Sequence, residues 1–336
     1  MSHNDNDAPM VCAVVLTYNR KDMIQRCLTA LTEQTRRCDR ILVVDNASTD
    51  GTAAMLAKHW SGSVEVYSLR KNVGAAGGYN VAMRLAYALE ADFVWAMDDD
   101  VIPEPDALEE LLRAHQLLAK ARIAPPYLVS LARSTSGQLT EMPDLDRRRN
   151  VLGFPAWAEF LDQGLLPTLG ATLISILLPR ETLRVHGVPI AAMFMFGEDR
   201  EYTVRITRAT PGFLVGTSRV LHARKLEGVL NTLNETNPTR LAYHYHLHRN
   251  TTSTVLAYDD PARIVLHFWR QTKMMLKALG SGRFHRAWIV FSGTVAGVLF
   301  KPRPDPVDAV LDRSCLRAAP STAEMETAPA KALAAL

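Results

Sequence analysis

At 336 residues the chain can bury one large core, or one domain of about 230 residues with a smaller appendage. With 48% hydrophobic and 22% charged residues it has the composition of a soluble globular protein, which argues against a disordered chain or a polytopic membrane protein. A net charge of +3 is too small to argue for nucleic acid by itself. The four cysteines, Cys12, Cys27, Cys38 and Cys315, show neither CxxC pairing nor zinc-like spacing, which fits a reducing compartment. The first ten residues lack the basic flank and apolar stretch of a signal peptide, so the expected location is cytoplasmic.

Through the first hundred residues, short Val/Ile/Leu runs alternate with longer amphipathic stretches, the pattern of βαβ units on a mainly parallel sheet. Strands are predicted at Val11–Leu16, Arg40–Val44, Val64–Leu69 and Phe93–Met97, and helices at Lys21–Gln34, Thr52–His59 and Gly78–Leu89. In such an α/β sheet, ligands collect beyond the carboxyl ends of the strands, so the residues just after each strand carry the functional question.

The first strand ends in Thr17-Tyr18-Asn19-Arg20 and the second in Asp45. Asp45 can accept hydrogen bonds from a uracil ring or a ribose hydroxyl, while Tyr18 and Arg20 offer stacking and charge near a base. Alone, Asp45 in DNASTDG is equally a turn former. The segment from Asn72 through Gly74, Gly77 and Gly78 has the same two readings, a turn or a close backbone approach to phosphate or sugar just before a helix. It matches neither GxGxxG nor GxxxxGK[ST], which weakens dinucleotide and P-loop readings.

After the fourth strand come Asp98, Asp99 and Asp100. In extended chain Asp98 and Asp100 point the same way, and two such carboxylates suit Mg2+ or Mn2+ on a nucleotide diphosphate. A lone DDD is more often a solvated turn capping the next helix; its place after a buried strand reverses that preference.

Arg133–Asn150 is polar and breaker-rich and reads as a loop. Beyond it, Thr172–Leu178 and Phe213–Leu221 are predicted strands, and Glu181–Val185 and Glu198–Thr207 predicted helices. Glu198 and Asp199 open the second of these. Carboxylates there commonly just cap, but a transfer to a hydroxyl needs a general base near that acceptor, and Asp199 is the candidate, with Glu198 orienting it or binding acceptor hydroxyls. His222, ending the next strand, can complete the metal shell through an imidazole nitrogen. His244, His246 and His248 would share a face on a strand but spread out in the helix expected there, which lowers a metal reading. Arg249 is either a phosphate partner or a tether to the catalytic domain.

Three helices are predicted at Thr239–Tyr258, Ala262–Leu279 and Phe284–Phe300. From Pro261 to Pro304 there are eight Lys or Arg and no Asp or Glu. The apolar run Ala287–Phe300 is shorter than the about 20 residues that a bilayer span needs. Such a basic, apolar segment can lie on an anionic membrane surface, or close the core with its basic residues on the wet face. The expected organisation is a flexible N-terminus at 1–10, a catalytic α/β domain at 11–238, a helical region able to associate with a membrane at 239–304, and a disordered tail at 305–336.

The ordered set VVLTYNR, ILVVDNASTDGT, NVGAAGGYN, WAMDDD and FGEDREY resembles glycosyltransferase family 2, the inverting GT-A enzymes, over about residues 11 to 250. The resemblance implies a GT-A fold with a C-terminal helical extension, a nucleoside-diphosphate-sugar donor and a divalent metal, Mn2+ or Mg2+. It implies nucleoside-binding roles for Thr17, Tyr18 and Asp45, and puts Arg20, Asn72, Gly74, Gly77, Gly78 and Asp99 on the donor-binding side. Asp98 and Asp100 match the metal cluster and Asp199 the base of the acidic pair.

Within the family the closest likeness is to bacterial galactofuranosyltransferases and rhamnosyltransferases acting on lipid-linked glycans, with His222 matching a metal-binding histidine of the former. Phe196 stands where Trp is common, and His246 replaces the second Tyr of a YYxxRN-like motif. Galactofuranose is the favoured sugar and dTDP-rhamnose the alternative donor. The expected acceptor is a hydroxyl of a lipid-linked or cell-surface polysaccharide, with no nucleic-acid partner. A sugar nucleotidyltransferase is disfavoured because its basic Gly-rich N-terminal signature is missing. A glycoside hydrolase would need no nucleotide, and a non-catalytic binding protein would need neither metal ligands nor a base.

Overall fold

The computed structural model describes residues 8–224, 230–309 and 312–317. The chain runs β1 (Val11–Thr17), α1 (Lys21–Thr32), β2 (Arg40–Asp45), α2 (Thr52–Trp60), β3 (Glu65–Ser68), α3 (Gly74–Ala88), β4 (Phe93–Asp98), β5 (Val101–Pro103) and α4 (Ala107–Lys120). It continues through β6 (Leu128–Ser134), β7 (Asp144–Leu145), β8 (Leu165–Gly170), β9 (Ile176–Pro179), α5 (Arg180–His186), α6 (Glu198–Ile206) and β10 (Gly212–His222). Three long helices follow: α7 (Pro238–Tyr258), α8 (Pro261–Gly280) and α9 (Phe284–Leu299). One sheet orders the strands β3-β2-β1-β4-β9-β6-β10-β8-β7, with β5 added on β10.

The sheet has two characters. β3, β2, β1 and β4 are all parallel, as their near-continuous apolar sequences require when helices cover both faces. Beyond β4 the antiparallel β9 intervenes, β6 and β10 are parallel to each other, and β8 is antiparallel to β10. Alternate residues of β1 feed opposite cores. Val11, Ala13 and Val15 pack with Ile24, Leu28 and Leu31 of α1, whereas Cys12, Val14 and Leu16 pack with Tyr79 and Met83 of α3. Each such buried aliphatic side chain contributes about 1.5–3 kcal/mol, so the strand is pinned from both sides.

The expected α/β class, the four leading strands and the C-terminal helices are all present. The glycine-rich segment differs: α3 begins at Gly74 rather than Gly78, so Gly74 and Gly77 belong to the helix instead of preceding it. A Cβ on Gly78 would stand 2.4 Å from Leu16 Cδ1 and one on Gly74 2.0 Å from the Phe194 carbonyl oxygen, so missing side chains let α3 approach β1 and the Phe194 backbone.

In the C-terminal region, α9 packs on α7 through two glycines one turn apart. A Cβ on Gly293 would meet the Tyr245 carbonyl oxygen at 2.7 Å and one on Gly297 the Arg249 carbonyl oxygen at 2.5 Å. The outer face of α9 exposes Trp288, Phe291, Val295, Val298 and Leu299. Thus α9 closes onto α7 with a largely apolar wet face, Arg286 at its start donates to the Thr232 and Glu235 carbonyls, and the other basic residues lie on α8 and in the connections. No helix among the described residues is long and apolar enough to cross a membrane.

Parts of the tail expected to be disordered from 305 lie against the catalytic domain. Val188 bridges to Asp305, and Leu69, just past β3, bridges to Leu316, with Arg317 N–H donating to the Ser68 carbonyl at 2.8 Å. The rest of that expected tail, residues 310–311 and 318–336, lies outside the described residues, as do residues 1–7 of the expected flexible N-terminus.

Candidate active site

Parallel pairing of β2, β1 and β4 brings the loops after their carboxyl ends to one edge. Asp45 is fully buried; its Oδ1 accepts the Ser48 N–H at 2.9 Å and its Oδ2 the Ser68 hydroxyl at 3.3 Å. The turn-forming role is thus realised, and it holds the β2 and β3 loops together. Asn19, at φ 54°, accepts the Thr49 N–H at 2.7 Å and donates its own N–H to Ser48 Oγ at 2.9 Å, which fixes the β1 loop against the same turn. Tyr18 beside it is 43% exposed, available to a ligand.

Asn46 escaped the sequence reading. Its Oδ1 accepts the Val73 N–H at 2.9 Å, while its Nδ2 donates to Asn72 Oδ1 at 3.2 Å and to the Gly74 carbonyl at 3.0 Å. Asn72 in turn accepts the Gly74 N–H at 2.8 Å. A single buried amide therefore locks the start of α3 to the end of β2, and its only sequence signal was its place in the VVDNAS run.

The three aspartates after β4 differ sharply. Asp98 Oδ1 accepts the buried Tyr79 hydroxyl at 2.6 Å. Burial, then the charge of Asp100, raises its carboxyl above the usual range. Asp99 accepts the Thr17 hydroxyl at 2.7 Å, and burial pushes it up to about 7 against the pull of Arg20 and Thr17. For Asp100 burial also works upward, but hydrogen bonding from His222 and the charge of Arg20 outweigh it and hold the carboxyl at about 2. Arg20 pairs closely with Asp100 and lies 3.6 Å from Asp99. It supplies the countercharge that lets three adjacent carboxyls share a buried edge.

His222 Nε2 lies 3.2 Å from Asp100 Oδ1, because antiparallel pairing of β5 with β10 sets His222 opposite Val101. One ligand atom each from Asp98, Asp100 and His222 falls within 4.8 Å of the others. The Nδ1 of His222 is buried with no hydrogen-bond partner among the described residues. Two carboxylates and an imidazole, one of its nitrogens unsatisfied, make a donor set that fits a divalent cation.

Across from this cluster α6 opens at Gly197, whose φ of 89° needs no side chain to accommodate. Asp199 Oδ1 accepts the Arg200 N–H at 2.7 Å, and Glu198 Oε2 is buried with no hydrogen-bond partner among the described residues. Burial raises both acids, Asp199 to about 6, and the neighbouring Asp199 charge lifts Glu198 further. The charge of Asp98 adds to both, so the acid pair and the cation cluster are electrostatic neighbours.

The loop that delivers this pair is strained and clamped. Phe194 and Phe196 have φ of 64° and 63°, a conformation costing about 1–2 kcal/mol per residue. Asn250 Nδ2 faces the Phe196, Met193 and Met195 carbonyls at 2.7, 2.9 and 3.2 Å. Arg249 donates to the Ala192 and Met193 carbonyls at 3.0 Å and lies over the Phe300 ring at 4.0 Å. The alternatives left open for Arg249 thus resolve to the tether. From the other side the Ala76 N–H donates to the Phe194 carbonyl at 3.0 Å.

The histidines of α7 are structural. Thr232 Oγ1 lies 2.8 Å from both His244 Nδ1 and His248 Nε2, and His246 packs on the Phe194 ring. Phe196, noted for standing in place of Trp, meets His244 edge-on.

An acidic cluster at the carboxyl ends of an α/β sheet, beside a buried acid pair, is a candidate enzyme active site. Residues 12–149 match the model of the glycosyl transferase family 2. Galactofuranosyltransferase GlfT1 of Mycolicibacterium smegmatis is 28% identical over 225 residues, covering 62% of this chain and 68% of its own. GlfT1 of Mycobacterium tuberculosis strain H37Rv is 30% identical over 201 residues, covering 59% and 65%. Among solved structures, GalNAc-T7 with UDP, GalNAc and Mn2+ aligns with a TM-score of 0.57 at 15% identity, over 78% of this chain and 50% of that one. S. aureus TarS aligns at 0.52 and 18% identity, over 77% and 42%. The chain therefore spans about two thirds of the GlfT1 relatives and half or less of these two solved chains. Over residues 12–149 it matches a glycosyl transferase family 2 domain, and its fold is that of the GT-A enzymes.

Proposed function

We propose that this protein is an inverting, metal-dependent glycosyltransferase that moves galactofuranose from a UDP donor to a hydroxyl of a lipid-linked or cell-surface glycan. The observation that carries the reading is the convergence of Asp98, Asp100 and His222 within 4.8 Å beside the buried Glu198-Asp199 pair. Mn2+ or Mg2+ held by those three side chains would supply positive charge for the departing diphosphate. The galactofuranose assignment rests on the likeness to the two GlfT1 proteins, and the UDP assignment on that likeness together with the UDP-bound GalNAc-T7 structure.

In this reading Tyr18 stacks on the base, and Asp45 and Thr17 shape the nucleoside end. Asp199, held by the Arg200 N–H and kept near neutrality by burial, takes the proton of the acceptor hydroxyl as its oxygen bonds to the anomeric carbon. The bond from that carbon to the diphosphate breaks on the opposite face, the configuration inverts, and UDP leaves. Glu198 orients Asp199 or the acceptor. Peripheral membrane association is supported by the exposed apolar side chains Trp269, Phe284, Trp288 and Phe291 on α8 and α9, flanked by exposed Lys273, Lys277 and Arg283.

The test is a transfer assay with UDP-galactofuranose and dTDP-rhamnose, each with Mn2+ or with EDTA, scoring nucleotide release and product anomer. Mn2+-dependent UDP release with an inverted product is expected. Turnover of dTDP-rhamnose alone would overturn the sugar assignment, and full activity in EDTA would overturn the metal.

A further inference from the structure

Tyr79 follows the pair Gly77-Gly78 on α3 and is buried, its ring in the same core as Val14, Leu16 and Met83. A phenylalanine would fill that space equally well, so the hydroxyl needs a reason of its own, and a buried hydroxyl needs a partner. Two acceptors are within reach: Asp98 Oδ1 at 2.6 Å and the carbonyl of Leu173, between β8 and β9, at 3.3 Å. The single phenolic hydrogen goes to the nearer oxygen, because a hydrogen bond to a carboxylate is shorter and stronger than one to a neutral carbonyl. A core hydroxyl that only had to be satisfied could have closed on Leu173 instead.

The contact follows from the packing of α3. Leu16 and Asp98 stand opposite each other where β1 pairs with β4, and Gly78, whose missing side chain lets α3 lie on Leu16, immediately precedes Tyr79. The helix therefore delivers the phenol to the carboxyl end of β4, where an unheld carboxylate would turn about its Cβ–Cγ bond. The two neighbouring aspartates are held by other means, Asp99 by the Thr17 hydroxyl and Asp100 by Arg20 and His222. Among the described residues, the hydrogen bond that the Asp98 side chain accepts comes from Tyr79. The phenol takes one acceptor position of Oδ1, and a carboxylate has others left for a cation. The start of α3 is fixed separately, by Asn46 Nδ2 on the Gly74 carbonyl and by the Ala76 N–H on the Phe194 carbonyl, so the ring that meets Asp98 rides on an element placed independently of the aspartates.

We infer that Tyr79 is a positioning residue: its hydroxyl fixes the plane of the Asp98 carboxylate, so that this group meets a divalent cation already aligned with Asp100 and His222. The inference rests on the cation reading of that cluster.

The experiment uses the full chain with saturating UDP and follows Mn2+ by electron paramagnetic resonance, which separates free from bound ion. Tyr79→Phe removes one oxygen from a ring that stays packed. It should weaken Mn2+ binding by about tenfold or more, as hydrogen-bond partners of metal ligands do, and alter the spectrum of the bound ion. UDP affinity at saturating Mn2+ should stay as in the wild type. A purely structural role would not divide the two affinities, since loosening α3 would also loosen its start, which Asn46 ties to the end of β2. Replacing Tyr79 by 3-fluorotyrosine keeps both ring and hydroxyl and should retain Mn2+ binding. Unchanged Mn2+ affinity in Tyr79→Phe, an equal fall in Mn2+ and UDP affinity, or a fluorotyrosine protein that loses Mn2+ overturns the assignment. Failure of the wild type itself to bind Mn2+ with UDP would instead overturn the cation reading of the cluster, and the role of Tyr79 with it.

Discussion

The parallel half of the sheet and the mixed half build their parts of the site by different means. Around β1, β2 and β4 the functional side chains hang on strand ends and are held by neighbours a few residues or one strand away, as Asp45 is by Ser48 and Asp99 by Thr17. The acid pair instead opens a helix behind a loop with two non-glycine residues at positive φ, held by Asn250 from a helix more than fifty residues further on. The first arrangement is rigid by sheet register; the second persists only while its clamp does. Damage to the first half should therefore appear in donor and metal binding, and damage to the second in turnover.

The largest effect expected is from Asp98→Ala or Asp100→Ala. Either should lower transfer by about a thousandfold or more and remove the Mn2+ dependence of UDP binding, measured by titration calorimetry. Asp199→Asn should cost about 10²- to 10⁴-fold in kcat with UDP affinity intact. The same variant sharpens the comparison through stability. A carboxyl raised by burial from 3.8 to about 6 binds its proton more tightly folded than unfolded. Its favourable contribution is thus present at low pH and lost as pH climbs from about 4 to 6. At pH 7 Asp199→Asn should accordingly melt higher, by on the order of 2 kcal/mol, and a lower melting temperature would contradict the assigned burial cost. For the wild type, kcat/KM should rise with pH through about 6 as Asp199 loses its proton, and the Asn variant should lack that limb.

Asn250→Ala leaves three loop carbonyls without their amide, and misplacement of the base should lower kcat by about 10- to 100-fold with little change in KM for the donor. A rise in donor KM with kcat unchanged would break the division between the halves. Thr17→Val is the mildest test. Removing one hydroxyl hydrogen bond to Asp99 should cost about 1 kcal/mol, seen as a fewfold loss of UDP affinity.

The same contrast explains what the sequence disclosed. The strands, the aspartate cluster and the start of α6 were legible because each is a local pattern: an apolar run of β length, then polar residues at its carboxyl end. The strands β6 and β8 and the short β5 and β7 were not read, and β9 came out shorter than expected, because their pairing depends on partners far along the chain. Neither Asn46 nor the choice between phosphate partner and tether for Arg249 could be settled locally, since both turn on contacts with loops distant in sequence. The glycines were read as a turn or a close backbone approach to phosphate or sugar; the structure adds that Gly74 and Gly78 lie close to the Phe194 backbone and Leu16. That packing is visible only once α3 is laid on β1.

The central claim, that the Asp98, Asp100 and His222 cluster binds a divalent cation that couples to a uridine diphosphate, is tested most directly by calorimetric titration of UDP with and without Mn2+. Wild type and His222→Ala would be compared. The account predicts Mn2+-dependent binding by the wild type, weakened in the variant, and little binding by either in EDTA. Equal UDP affinity with and without Mn2+, or equal Mn2+ dependence in the two proteins, would contradict it.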